Sequence, residues 1–212
     1  MAAKYQYEAT SIEGFVEQVV RYVGSGHFFY VTGCIPKKKP AESVDEKLLQ
    51  RFEIAMPRWQ RSRRKRSGIA SVHYLRFERF FILLATHGRH QFYEEHTQDQ
   101  IQDCRRVGIK FEGYSIRHGY STHTKKWHTL VRLDAETYKN LKAYMLDLAK
   151  RRSKEYLEDL FRSVWFQPYR PVREQLLAIL RKVNRERKQV GFEQLDWKVS
   201  IPTKRKTRRV FR

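Results

Sequence analysis

The chain has 212 residues, of which 41% are hydrophobic and 14% aromatic, so it can bury a core and is not predicted to be disordered over most of its length. Lysine and arginine number 44 against 23 acidic residues, and the net charge of +21 opposes compaction unless a polyanion outside the chain offsets it. The sequence shows no apolar run long enough for a membrane span, no secretory signal and only two cysteines, which favours a cytoplasmic protein without a disulfide framework.

The N-terminal quarter of the chain predicts a helix, a strand and a second helix. Residues 10–26 have apolar side chains at helical spacing, behind a capping box that begins at Thr10. Residues 27–35 (HFFYVTGCI) follow as a strand that is apolar enough for the centre of a sheet. A second capping box, which begins at Ser43, predicts the start of the next helix.

Four further strands are predicted before residue 134. Two adjacent strands over 69–77 and 79–88 are followed by a short helix over 93–108, and then by strands over 109–121 and 126–133. After the first helix the order is strand, helix, strand, strand, helix, strand, which is that of the ferredoxin-like split βαβ arrangement. We therefore expect an α+β fold with a ferredoxin-like antiparallel sheet, preceded by a helix and extended by one strand.

The sequence predicts three segments. Residues 1–134 form the ferredoxin-like α+β core, and 135–201 form a helical, strongly basic C-terminal region that packs on it. Within that region, 195–201 (LDWKVSI) alternates like an edge strand. Residues 202–212 are predicted to be a flexible basic tail, because they cannot build a core.

The basic residues are concentrated in two parts of the chain, with a net charge of +7 over 51–110 and +11 over 151–212. The densest stretch, 58–68 (RWQRSRRKRSG), has six basic residues, Trp59 and no acid. Cations near the C-terminal end of a helix interact favourably with its dipole, but two or three of them satisfy that effect. Because arginine binds phosphate oxygens bidentately and each neutralised phosphate releases counterions, we interpret the run as phosphate-binding.

The favoured partner is structured RNA or single-stranded DNA. Aromatic residues alternate with cations over 114–128 (YSIRHGYSTHTKKWH), a pattern typical of surfaces that stack unpaired bases. A subunit of a ribonucleoprotein or an accessory protein of a mobile element fits this composition, and no cofactor is expected. The candidate nucleic-acid-binding residues are Arg58, Trp59, Arg61, Arg63, Arg64, Lys65, Arg66, Lys125, Lys126, Arg173, Arg181, Lys182, Arg185, Lys188, Lys204, Arg205, Lys206, Arg208 and Arg209.

An enzymatic alternative, a nickase, transposase or RNA-processing nuclease, depends on His128 and Tyr138. A strand histidine followed by a helix tyrosine resembles the nickases and transposases of the paired-histidine type, which implies a divalent metal and tyrosine attack on a phosphodiester. The His-x-His pair of those enzymes is absent, because Trp127 and Thr129 flank His128. A third hypothesis is an adaptor for an acidic protein partner, whose binding would depend less steeply on salt.

Overall fold

The computed structural model of the chain describes residues 5–204 and 209–211, except for the side chain of Arg58. In these residues the fold is mixed α+β with antiparallel sheets, which confirms the predicted class. The helices are α1 (Ile12–Gly24), α2 (Ala41–Arg51), α3 (Arg58–Arg66), α4 (Gln91–Glu95), α5 (Ala135–Ala149), α6 (Lys154–Ser163), α7 (Arg170–Gln189) and α8 (Trp197–Ser200). The strands are β1 (Phe29–Cys34), β2 (Val72–Phe77), β3 (Phe80–Ala85), β4 (Gln102–Asp103), β5 (Ile109–Phe111), β6 (Tyr114–Ser121) and β7 (Lys126–Leu133).

The larger sheet has the strand order β2-β3-β1-β4. Strand β3 pairs antiparallel with β1 and with β2, over six residue pairs on each side, and β4 pairs antiparallel with β1. Residues 82–85 of β3 are all buried, which explains why this strand is a continuous apolar run and not an alternating one. The strands predicted over 27–35, 69–77 and 79–88 are confirmed.

The predictions between β3 and β7 need two corrections. The helix predicted over 93–108 is limited to the short α4, and Gln102–Asp103 forms the edge strand β4 instead. The strand predicted over 109–121 is divided by a turn in which Glu112 and Gly113 have φ values of 44° and 76°. The resulting β5 and β6 form a separate sheet with β7, in the order β5-β6-β7, and do not extend the larger sheet.

Three other predicted boundaries need correction. Helix α2 begins at Ala41, after the N-cap residue Pro40, and not at the capping box predicted from Ser43. Ser11 is the N-cap of α1, whereas the hydroxyl of Thr10, the predicted cap, donates to the carbonyl of Arg209 at 2.9 Å. Residues 195–201 contain the short helix α8 and not an edge strand, because the Asp196 side chain caps that helix.

The described residues divide into two compact units. The first comprises 5–109, 116–130 and 209–211, and the second comprises 110–115 and 131–204. The core cluster of the first unit is formed by Phe52, Ile54, Val72, Tyr74, Leu83, Ala85 and Phe92. In the second unit α5 packs on α7 and α6 packs on α8, and the buried side chains include Met145, Leu157, Phe161, Leu176, Ile179 and Val183. The domain limits predicted at residues 134 and 201 stay predictions.

Among the residues described, no helix is both long enough and apolar enough to cross a membrane. The longest is α7, and charged side chains occur along most of its 20 residues.

Candidate functional site

Helix α3 carries the arginine run, and two of its arginines have partners within the first unit. Arg61 donates from Nη2 to the carbonyl of Ile54 at 2.5 Å and from Nε to the carbonyl of Met56 at 3.2 Å. Arg64 forms an ion pair with Glu53. The sequence predicts both arginines as phosphate ligands, but in the structure they hold α3 against the segment that precedes it.

Three further cations of α3 are exposed. Arg63, Lys65 and Arg66 have no carboxylate within ion-pair distance among the described residues. Trp59 is 67% exposed, which is unusual for so large an apolar side chain. The side chain of Arg58 is outside the described part of the chain. Helix α3 therefore presents three cations and one aromatic ring to solvent.

Arg61 also contacts a cluster of histidine and aromatic side chains. Its Nη1 lies 2.7 Å from Nδ1 of His73, and the His73 ring stacks on Tyr22 with centroids 4.0 Å apart. The ring of His27 is centred 4.7 Å from that of His73, and its Nδ1 lies 3.0 Å from Ser25 Oγ. Burial, with a smaller effect of the nearby cations, lowers the pKa of His27 to about 4 and also lowers that of His73 strongly. Both rings are therefore neutral at neutral pH.

The C-terminal end of α3 is held by the chain around Gly88. Arg89 N donates to the carbonyl of Gly68 at 2.9 Å, and Ala70 N donates to the carbonyl of Arg89 at 3.0 Å. Gly88 has a φ of +139°, and a Cβ placed there would lie 2.7 Å from Ala70 N and 2.8 Å from Gly68 O. Only glycine fits this position, because the neighbouring atoms are backbone and cannot rotate away.

Gly88→Ala is expected to lower the free energy of unfolding by about 3 kcal/mol, since backbone strain and overpacking each cost about 1–3 kcal/mol. Gly68→Ala is the matched control, because its φ of +75° is also left-handed but nothing lies within 4 Å of the added Cβ. The control is expected to lose only about 1–2 kcal/mol. Urea denaturation followed by circular dichroism checks both values. A loss at Gly88 no larger than that at Gly68 would contradict the close approach.

The hairpin of β6 and β7 carries a row of rings that leads from a partly buried position to solvent. The ring centroids of Phe28 and His118 are 4.6 Å apart. His118 and Trp127 follow at 6.0 Å with an interplanar angle of 22°, and Trp127 and Tyr120 follow at 6.1 Å. Tyr120 is 49% and Trp127 63% exposed, whereas Nδ1 of His118 is buried and has no hydrogen-bond partner among the described atoms.

Three cations accompany this row of rings, one at its inner end and two at the hairpin turn. Lys125 and Lys126 are exposed where the hairpin turns, and Lys125 has a left-handed φ of 50°. The guanidinium carbon of Arg105 lies 4.9 Å from the centroid of the Phe28 ring. Asp103 accepts hydrogen bonds from Arg105 and fixes its orientation. The hairpin thus combines exposed aromatic faces with positive charge.

The turn after α1 lies between α3 and this hairpin. A Cβ placed on Gly26 would lie 3.8 Å from Nζ of Lys65 in α3, and one placed on Gly24 would lie 3.8 Å from Oγ1 of Thr129 in β7. The hydroxyl of Thr129 also donates to the carbonyl of Val20 at 3.5 Å. Lys65 and β7 therefore border the same short turn of the first unit.

Helix α7 of the second unit carries a separate basic face. Its exposed cations include Arg181, Lys182, Arg185 and Lys188. Arg173 is partly buried. Contact with Lys142 of α5, through a hydrogen bond and charge repulsion, lowers the pKa of Lys182. Two lysines of like charge therefore lie side by side where α5 packs on α7.

Arg187 is an exception on α7, because it is only 3% exposed. Its guanidinium donates to the carbonyls of Ala149, Arg152 and Glu193 at 2.9, 2.8 and 2.6 Å. The sequence pattern places Arg187 with the outward residues of this helix. In the structure Arg187 instead points inward. Two of its acceptors, the carbonyls of Ala149 and Arg152, lie at and just beyond the C-terminal end of α5 and have no partner within that helix.

The basic tail is described in part. Lys204 and Arg209 are exposed. The predicted phosphate ligands that lie outside the described residues are Arg205, Lys206 and Arg208. Val210 is buried, and its carbonyl accepts a hydrogen bond from Thr10 N at 3.0 Å. At Val210 the chain is thus packed against the start of α1, within the segment that the sequence predicts to be flexible.

The two residues of the enzymatic alternative belong to different units. His128 lies on β7 in the first unit, with its Nδ1 3.3 Å from Thr124 Oγ1, and Tyr138 lies on α5 in the second. Within the described ranges, no group of three or more His, Cys, Asp or Glu side chains could hold a metal ion. The nickase hypothesis stays a prediction.

No protein-family model, curated protein or solved structure matches this chain. Its function must therefore be argued from its own residues.

Proposed function

We propose that this protein binds the phosphate backbone of RNA or single-stranded DNA through α3. The observation that carries the proposal is the division of the α3 cations into two sets. Arg61 and Arg64 are engaged within the first unit, whereas Arg63, Lys65 and Arg66 are exposed without a carboxylate partner in the described chain. A helix fixed in this way is preorganised to bind an extended polyanion, because little freedom is lost on binding.

The helix dipole is not a sufficient reason for these cations. A cation in the last turn of a helix gains about 0.3–1 kcal/mol from the dipole. All of Arg63, Arg64, Lys65 and Arg66 lie in that turn, and neighbouring like charges repel one another by comparable amounts. An external polyanion would relieve this repulsion, which favours the binding role.

We also propose that the larger sheet is of the ferredoxin-like, split βαβ type. Its order β2-β3-β1-β4 with antiparallel neighbours supports this, as do α2 and α3 between β1 and β2 and α4 between β3 and β4. In this arrangement the fourth strand is Gln102–Asp103 and not residues 109–121. Because such sheets serve many functions, the binding proposal depends on the α3 side chains and not on the fold.

The test is a variant with Arg63→Gln, Lys65→Gln and Arg66→Gln, called the α3 variant below. Each lost phosphate contact lowers the slope of log affinity against log salt by ~0.7 for a single strand, so we expect the slope to fall by about 2. If the variant and the wild type bind equally at ~1 M salt, this difference in slope makes the affinity of the variant about 100-fold lower than that of the wild type at ~0.1 M. Anisotropy of a labelled single-stranded RNA, titrated at several salt concentrations, measures both quantities.

The matched control is Lys37→Gln, Lys38→Gln and Lys39→Gln. These lysines are also exposed in the first unit, so the control removes the same charge from another place. Its affinity is expected to stay close to that of the wild type. Equal losses in the two variants would show that binding follows net charge alone and would contradict a site on α3.

A further inference from the structure

The row of rings on the β6–β7 hairpin is not accounted for by packing. Trp127 covers one side of His118 but remains 63% exposed, and Tyr120 beyond it is 49% exposed. A tryptophan that served only to complete a core would be mostly buried. The exposed indole instead leaves π surface available to a ligand.

The positive charge near these rings indicates which kind of ligand would bind to them. Lys125 and Lys126 are exposed at the turn of the same hairpin, whereas Arg105, at the inner end of the row, is ion-paired with Asp103. An apolar protein partner would not require the two lysines, whereas a nucleotide presents a flat base and a phosphate together. Lys65 and β7 also border the same turn, so a strand bound to α3 is brought close to the hairpin.

From these observations we propose that Trp127 and Tyr120 stack on unpaired nucleobases, so that the site prefers a single strand to a duplex. This inference rests on the proposed function and specifies its ligand. In a duplex both faces of each base are covered by neighbouring base pairs, whereas an unpaired base offers its face to an aromatic side chain. Stacking tolerates any base, so the preference concerns strandedness and not sequence.

The experiment compares the affinities of Trp127→Ala for an unpaired oligouridine RNA and for a blunt-ended, fully paired RNA duplex with the same total number of nucleotides. We expect Trp127→Ala to weaken binding to the unpaired RNA by about 5- to 150-fold, the range for one stacked base, and to leave the duplex affinity unchanged. Trp127→Phe keeps an aromatic face and should retain most of the affinity. Should Trp127→Ala not fold, Tyr120→Ala tests the same surface and should also weaken binding of the unpaired RNA alone.

The α3 variant distinguishes this inference from the proposal on which it rests. It should weaken binding to both RNAs, because phosphates are present in each. Loss of affinity for both RNAs alike in Trp127→Ala, or for neither, would overturn the stacking role and leave the α3 proposal standing. Failure of the wild-type protein to bind either RNA would overturn both.

Discussion

Asp45→Ala is expected to lower the free energy of unfolding by about 3–5 kcal/mol, the usual cost of removing one partner of a buried ion pair. Asp45 is fully buried and accepts a hydrogen bond from the Tyr74 hydroxyl at 2.5 Å and from Arg76 Nε at 3.0 Å. The other acidic partner of Arg76, Glu8, lies 3.2 Å away but is 53% exposed, so water weakens that contact. Alanine would therefore leave a buried guanidinium and a buried phenol without their main acceptor.

Burial raises the pKa of the Asp45 carboxyl, against the opposing effects of Tyr74 and Arg76. Asp45→Asn keeps an acceptor oxygen and the shape of the side chain, so its expected loss is smaller than that of alanine. The matched control is Asp159→Ala, whose partner Arg162 is exposed, and it is expected to change stability by less than about 1 kcal/mol. Urea denaturation gives all three values. Similar stability for Asp45→Ala and Asp159→Ala would show that the buried network does not stabilise the fold.

Much of the fold could be predicted from the sequence, because burial imposes a period on apolar residues. The central strands β1 and β3 are long apolar runs, and α1 and α7 repeat apolar residues at helical spacing. Strand β4 could not be found in this way, because it has only the two residues Gln102–Asp103, which are too few to show a repeat of apolar side chains. It is defined only by its backbone pairing with β1. The turn at Gly113 was missed for a related reason, since one glycine inside an apolar stretch does not by itself predict that a strand divides.

The candidate site was predicted in part, because sequence shows where charge is but not what it contacts. The density of cations in α3 is visible directly, whereas the roles of Arg61 and Arg187 depend on carbonyl groups placed by the fold. Asp45 did carry a signal. It lies four residues before Leu49 and seven before Phe52, on the apolar face of α2, where a carboxylate implies a buried partner. The contact between His27 and His73 had no such signal, since 46 positions separate the two residues.

Acidification is expected to destabilise the first unit through His27 and His73. Burial is the largest cause of the lowered pKa of both rings, and the cations Lys65 and Arg61 add to the effect on His27. In the unfolded chain both histidines take up a proton near pH ~6.5, whereas in the folded protein His27 does so only near about 4. The unfolded state therefore binds more protons between these values, so stability falls as the pH falls below ~6.5.

The pKa shift of His27 alone corresponds to a decrease of about 3 kcal/mol in the free energy of unfolding between pH ~7 and pH ~4.

His27→Asn keeps a polar group near Ser25 but removes the titrating ring, so its unfolding free energy should depend less on pH than that of the wild type. His123→Asn is the control, because it removes an exposed histidine from the hairpin turn of the same unit. Denaturation of the three proteins at about pH 7 and pH 5 resolves the difference, since His27 alone accounts for about 2 kcal/mol over that range. If His27→Asn kept the full wild-type pH dependence, the buried neutral state of His27 would be refuted. Because Arg61 of α3 contacts His73 and the His73 ring is centred 4.7 Å from that of His27, protonation of His27 places a charge beside the contact that holds α3.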